Sequence, residues 1–166
     1  MEKLRIYLDD VRTPNNPNNE WIEGVTEWTV VRCYEEFVEL VHKTGIENIE
    51  LISLDHDLGD TAMKEYFENV SPNYTLNYDN ITEKTGMDCC KWLVNYYYDT
   101  NPGRDLMSRS EKKVLPFVFP KVLVHSANPI GSANMMGYIN NFLMNEGQKQ
   151  ACVRVLIPHT IEKNEN

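Results

Sequence analysis

The sequence has no long apolar run, no block of basic residues and no pair of cysteines at zinc-site spacing. A bilayer-spanning helix needs roughly 20 consecutive apolar residues, and no stretch of the 166-residue chain approaches that length. The segment MEKLRIYLDD enters a strand-like run at once, without an apolar signal segment, so a soluble cytoplasmic protein is expected. Because lysine and arginine never cluster and the formal charge is -9, a nonspecific grip on duplex nucleic acid is excluded. A small anionic ligand held by a metal or a local arginine is still allowed. The four cysteines, Cys33, Cys89, Cys90 and Cys152, read as reduced core thiols, two of them adjacent on one helix. Internal repeats and low-complexity tracts are also missing. The length suits one core and hence one domain over residues 1–166.

What is present alternates between two patterns. Leu4 to Leu8 is a short apolar run that stops at Asp9 and Asp10, as a buried strand does where it leaves a sheet. RTPNNPNNEWIEG is rich in Pro and Asn and reads as a loop. Glu27 to Arg32 suits a second strand, and YEEFVELVHKTG a helix with Tyr34, Phe37, Val38 and Val41 on one face, ended by Gly45. IELISLDHDLG gives a third strand, MDCCKWLVNYYY a helix, KVLVHSANP a fourth strand, SANMMGYINNFLMNEG a helix and VRVLIPHT a fifth strand. Alternating strands and helices imply right-handed crossovers and an α/β domain, a five-stranded parallel sheet with helices on both faces. Two insertions, 61–84 and 99–120, flank the helix after the third strand. The tyrosine-rich first one suits a lid, because it leaves directly from the acidic loop; the second reads as surface elaboration.

Ligands of open parallel sheets bind beyond the carboxyl ends of the strands. Polar clusters sit at four such ends: Asp9, Asp10 and Arg12; Asp55, His56 and Asp57; His125, Ser126 and Asn128; and His159, the last read as structural. Converging carboxylates repel one another unless a cation neutralises them, and hard oxygen donors suit Mg²⁺ or Mn²⁺, so Asp9, Asp10 and Asp55 are candidate metal ligands. Capping or loop hydrogen bonding is the plainer role for Asp9 and Asp10. His56, flanked by Asp55 and Asp57, and His125 are candidates for proton transfer, although a lone histidine beside a strand is often a packing residue. Arg12, the only arginine read as lying at a tip, together with Ser126 and Asn128, is a candidate for binding phosphate. HSANPIGS would also serve as an ordinary turn and helix cap.

Taken in order, LDDVR, SLDHDLG, TGMD and VHSANPIG with a following NM resemble the cyclic-phosphate processing receiver-like domains, over nearly the whole chain. The resemblance implies a divergent receiver (flavodoxin-like) fold. It matches Asp9 and Asp10 to the acidic metal pair, Asp55 to the phospho-acceptor position and Ser126 to the hydroxyl residue after the fourth strand. Two departures from phosphorelay receivers stand out: Ile157 replaces the expected lysine before the proline, and a Pro/Asn loop replaces the first helix.

Three functions are compatible with these residues. The first is a metal-dependent phosphoesterase acting on a cyclic nucleotide or a 2′,3′-cyclic phosphate end, with His56 and His125 as acid and base, or with Asp55 as nucleophile and Asp57 as base. The second is a module that binds a cyclic phosphate without cleaving it. The third, a phosphorelay receiver, is disfavoured by Ile157. The oligomeric state is left open by the sequence.

Overall fold

The computed structural model describes residues 2–14, 27–100, 119–157 and 159–161. Seven strands occur among them: β1 (Leu4–Leu8), β2 (Arg12–Pro14), β3 (Thr29–Val31), β4 (Ile49–Leu54), β5 (Lys121–Val124), β6 (Val153–Arg154) and β7 (His159–Ile161). The helices are α1 (Tyr34–Thr44), α2 (Asp60–Glu65), which runs through a π-helical turn into α3 (Ser71–Asn73), α4 (Gly86–Thr100) and α5 (Pro129–Asn145). Five strands form a parallel sheet in the order β3-β1-β4-β5-β6. This is the expected α/β, receiver-like architecture. The chain turns first to one side of β1 and then to the other, so the strand order reverses between β1 and β4.

Alternation along each strand divides the apolar residues between two faces. Ile6, Leu8, Ile52, Leu54, Val122 and Val124 join Phe37 and Val41 of α1, Leu93 and Tyr97 of α4, and Ile139 and Phe142 of α5 in one large buried cluster. The intervening positions point the other way. Leu51 and Leu123 form a second, small cluster with half-buried Trp28 and Val155. Among the described residues the three long helices therefore share one face, whereas the sequence led us to expect helices on both.

Other differences are local. The second strand is shorter than Glu27 to Arg32, and only Val153 and Arg154 of the expected fifth strand join the sheet. His159 to Ile161 instead pair antiparallel with Arg12 to Pro14, within the stretch read as loop. Of the two insertions, 61–84 holds the π-helical turn, α3 and all but the first residue of α2, while residues 101–118 of the second lie outside the described residues. No helix among the described residues is long and apolar enough to cross a membrane. Cys89, Cys90 and Cys152 are buried, Cys33 is partly exposed, and all four are free thiols.

Candidate functional site

Strand register brings the tip residues to one level. Leu8 pairs with Leu54 and Leu54 with Val124, so Asp9, Asp55 and His125 each follow the last paired residue of neighbouring strands. Backbone bonds extend the ladder past that level, from Asp55 N to Leu8 O (2.9 Å) and from His125 N to Leu54 O (3.0 Å). The site therefore lies at the point where strand order reverses, the usual ligand crevice of such sheets. One ligand atom from each of Asp9, Asp10 and Asp55 lies within 4.8 Å of the others.

These carboxylates differ in how they are held. Asp9 Oδ1 accepts from Val11 N (3.0 Å) and Arg12 N (2.6 Å), and Oδ2 accepts from Arg12 Nε (2.6 Å) and His125 Nε2 (3.1 Å). Burial alone would raise its pKa, but the bonds from His125 and Arg12 outweigh burial and hold it below the usual carboxylate value. Asp55 Oδ1 accepts from His56 N (2.8 Å), and Oδ2 faces Arg12 Nη2 at 3.0 Å. Its pKa is raised, chiefly by burial and then by the charge of Asp9. Asp10, half-buried, is pushed up to about 6 by burial and by the charges of Asp55 and Asp9. Asp9 thus also performs the loop hydrogen bonding that was the plainer expectation for it.

The two histidines occupy separate networks, and no hydrogen bond or ring contact between them occurs. His125 is buried, stacked on Tyr7 with ring centroids 4.2 Å apart, and bonded through Nδ1 to Ser53 Oγ (2.7 Å). A carboxylate oxygen only accepts, so Nε2 carries the proton towards Asp9 and Nδ1 accepts from the Ser53 hydroxyl. Its pKa is lowered by burial despite Asp9, which agrees with a neutral ring. His56, fully buried, contacts Asp57 Oδ1 through Nδ1 (2.7 Å) and the Tyr78 hydroxyl through Nε2 (3.0 Å). Asp57 Oδ1 also accepts from Asn128 Nδ2 (3.2 Å), and Asn128 Oδ1 caps α5 by accepting from Gly131 N (2.8 Å). The Asn128 side chain is therefore spent on the cap and on Asp57. Ser126 is buried as well, its Oγ accepting from Asn128 N (3.2 Å).

A family model described as a cyclic-phosphate processing receiver domain matches residues 4–141. The chain belongs to this family. Comparisons with curated proteins and with solved structures find no match.

Local packing explains two short motifs of this receiver domain. In TGMD, the start of α4 lies directly on the Asp55–His56 backbone: Gly86 N donates to His56 O (2.9 Å), and a Cβ at Gly86 would run into the Asp55 carbonyl. Asp88 Oδ2 reaches back to accept from Thr85 N (2.8 Å) and fixes that helix start. In VHSANPIG, a Cβ at Gly131 would collide with the His56 ring. Ile157, at the position where the resemblance implies a lysine, is buried.

Arg12 is not the only tip arginine. Arg32 donates to Asp9 O (3.0 Å) and Arg12 O (2.6 Å), and Arg154 donates through Nη2 to Ser126 O (2.8 Å). Both hold loop backbones in place. The sequence placed Tyr78 in an insertion but did not connect it with His56, because that contact depends on how the insertion folds back. The Asn134 Nδ2 bond to the same hydroxyl (3.2 Å) was not anticipated for the same reason.

Proposed function

We propose that this receiver domain is a metal-dependent phosphoesterase that opens a cyclic phosphate, either in a cyclic nucleotide or at a 2′,3′-cyclic phosphate end. The observation that carries the reading is the group Asp9, Asp10 and Asp55, whose ligand atoms gather within 4.8 Å at the strand-order reversal, in a member of a cyclic-phosphate processing family. Three carboxylates face one directly paired guanidinium, Arg12, leaving about two negative charges, a match for one divalent cation with hard oxygen donors. Asp10 and Asp55 are the direct ligands in this reading, since Asp9 already accepts four hydrogen bonds. Bound there, Mg²⁺ or Mn²⁺ would polarise the phosphate and activate a water.

The protein's own groups divide the remaining work. Arg12, between Asp9 and Asp55, is placed to pair with phosphate oxygens. His56, oriented by Asp57, handles the proton of the leaving oxygen once Tyr78 releases its Nε2. His125, with both ring nitrogens engaged, acts through Asp9 as a positioning residue. Asn128 holds Asp57.

One observation favours a second reading, a module that binds a cyclic phosphate without opening it: both histidines are sealed from solvent and fully hydrogen-bonded. The two are separated by incubating the protein with cyclic mononucleotides, cyclic oligonucleotides and RNA ending in 2′,3′-cyclic phosphate, with and without Mg²⁺ or Mn²⁺, and reading products by mass spectrometry. Metal-dependent ring opening that falls by ~100-fold or more in Asp10→Asn supports the phosphoesterase. Intact ligand throughout, with metal-dependent retention on the protein, overturns it in favour of the binding module.

A further inference from the structure

Beyond Tyr78 a cleft of about 580 Å³ runs between α4 and α5, within the size range of small-molecule sites. We propose that this cleft is a nucleoside subsite and that the ligand is a nucleotide, not a cyclic phosphate on a bare sugar; the proposal builds on the reading of the carboxylate site as the place where the phosphate binds.

Five observations carry it. The lining combines two phenol rings, Tyr78 and Tyr138, with the thioether of Met87 and the amides of Asn134 and Asn141. Aromatic and apolar faces with a few amides at the edges form the surface on which a base stacks and is read by hydrogen bonds. The α5 side is shaped by small residues one turn apart, Ala133 and Gly137, and a Cβ added at Gly137 would meet nothing within 4 Å. Glycine weakens a helix interior, so here a residue unfavourable to α5 leaves open space along the cleft.

Tyr78 also ties the wall of the cleft to the strand tips through hydrogen bonds. The hydroxyl of Tyr78 is bonded to His56 Nε2, and the backbone N of His56 donates to Asp55. A ligand with its phosphate at the carboxylates and its base between the helices would lie across Tyr78. A second cleft, about 280 Å³ and lined by Thr82, Thr85 and Asp88, shares Tyr78, Met87 and Lys91 with the first and is suited to a ribose. Lys91, exposed in a chain of charge -9, puts positive charge beside the path of an anionic ligand.

The test is amide-shift mapping by NMR on the full chain with AMP, GMP, CMP and UMP, with ribose 5-phosphate as the base-free probe. At least one nucleotide is expected to shift amides of residues 87–91 and 133–141, and ribose 5-phosphate to leave them in place. Gly137→Leu, which fills the cleft, should weaken that nucleotide by roughly tenfold or more without lowering the melting temperature, and the exposed Asn141→Ala should weaken it without any change in fold. The subsite is overturned if no nucleotide shifts these amides at millimolar concentration, if ribose 5-phosphate shifts them equally, or if both variants bind like the parent.

Failure of the phosphoesterase reading looks different. Asp10→Asn should lower ring opening by ~100-fold or more and weaken the nucleotide through its phosphate, while the base-dependent shifts at residues 87–91 and 133–141 persist at saturation; nucleotide binding without any ring opening by the parent would sink the phosphoesterase while keeping the subsite. Ring opening of glycerol 1,2-cyclic phosphate as fast as that of a nucleotide, and unchanged in Gly137→Leu, would sink the subsite and keep the phosphoesterase.

Discussion

Four donors converge on Asp9, and one of them is the imidazole of His125, held in turn by Ser53 and by the face of Tyr7. Removing that ring leaves two buried polar groups short of a partner and a void beside Tyr7. His125→Ala should therefore cost about 2–4 kcal/mol in urea unfolding, the range of cavity and lost hydrogen-bond effects at buried sites. His125→Gln, which can keep a donor towards Asp9, should cost less. An unfolding midpoint for His125→Ala equal to that of the parent would show that the ring is no strut. Asp9 and Asp55 were legible from the sequence because an apolar strand that ends in carboxylates can bury neither charge cheaply. What was not legible is that His125 turns inward: a strand tip reads the same whether its side chain faces solvent or the neighbouring strand.

On α5 two glycines give a contrast that tests packing. Gly131 lies under the His56 ring, whereas a Cβ at Gly137 has open space. Gly131→Ala should destabilise the fold by about 1–3 kcal/mol through overpacking, and Gly137→Ala should stabilise it by about 0.5–1 kcal/mol through helix propensity. Thermal melts of the two variants should therefore move in opposite directions, and parallel shifts would contradict this account. Helices α1, α4 and α5 were readable because apolar residues recur at helical spacing and their buried positions coincide with it. The pairing of β2 with β7 was not, because it joins residues some 150 positions apart through short, largely exposed segments with no apolar pattern. The one-sided placement of the long helices was also hidden, since a strand's alternation does not say what covers each face.

At the scale of the whole molecule, charge sets the balance. Asp10 has its pKa raised to about 6, so the folded protein binds a proton there more tightly than the unfolded chain. The contribution of this group to stability is complete below the unfolded value near 4 and is lost as pH rises through about 6. Asp10→Asn should raise metal-free stability at neutral pH by on the order of 1 kcal/mol after allowance for solvent screening. Mg²⁺ or Mn²⁺ should stabilise the parent more at pH 7.5 than at pH 5, where protons compete for the same oxygens, and should do little for the variant. Differential scanning fluorimetry across pH with each metal checks both; stabilisation that is equal at the two pH values, or unchanged in Asp10→Asn, would remove Asp10 from the metal site.

Arg12 lies in a strand whose backbone partner is the segment His159 to Ile161. A chain stopped after residue 157 should retain a cooperative melt, because the main cluster lies upstream, yet lose ring-opening activity by roughly tenfold through a misplaced Arg12. The same pairing imposes an order on biosynthesis. Both carboxylate-bearing strands leave the ribosome long before the segment that ties Arg12 in place, so the nascent protein would carry its acidic residues without their guanidinium partner fixed. The site would become competent only once residues 159–161 have emerged and β2 can close against them.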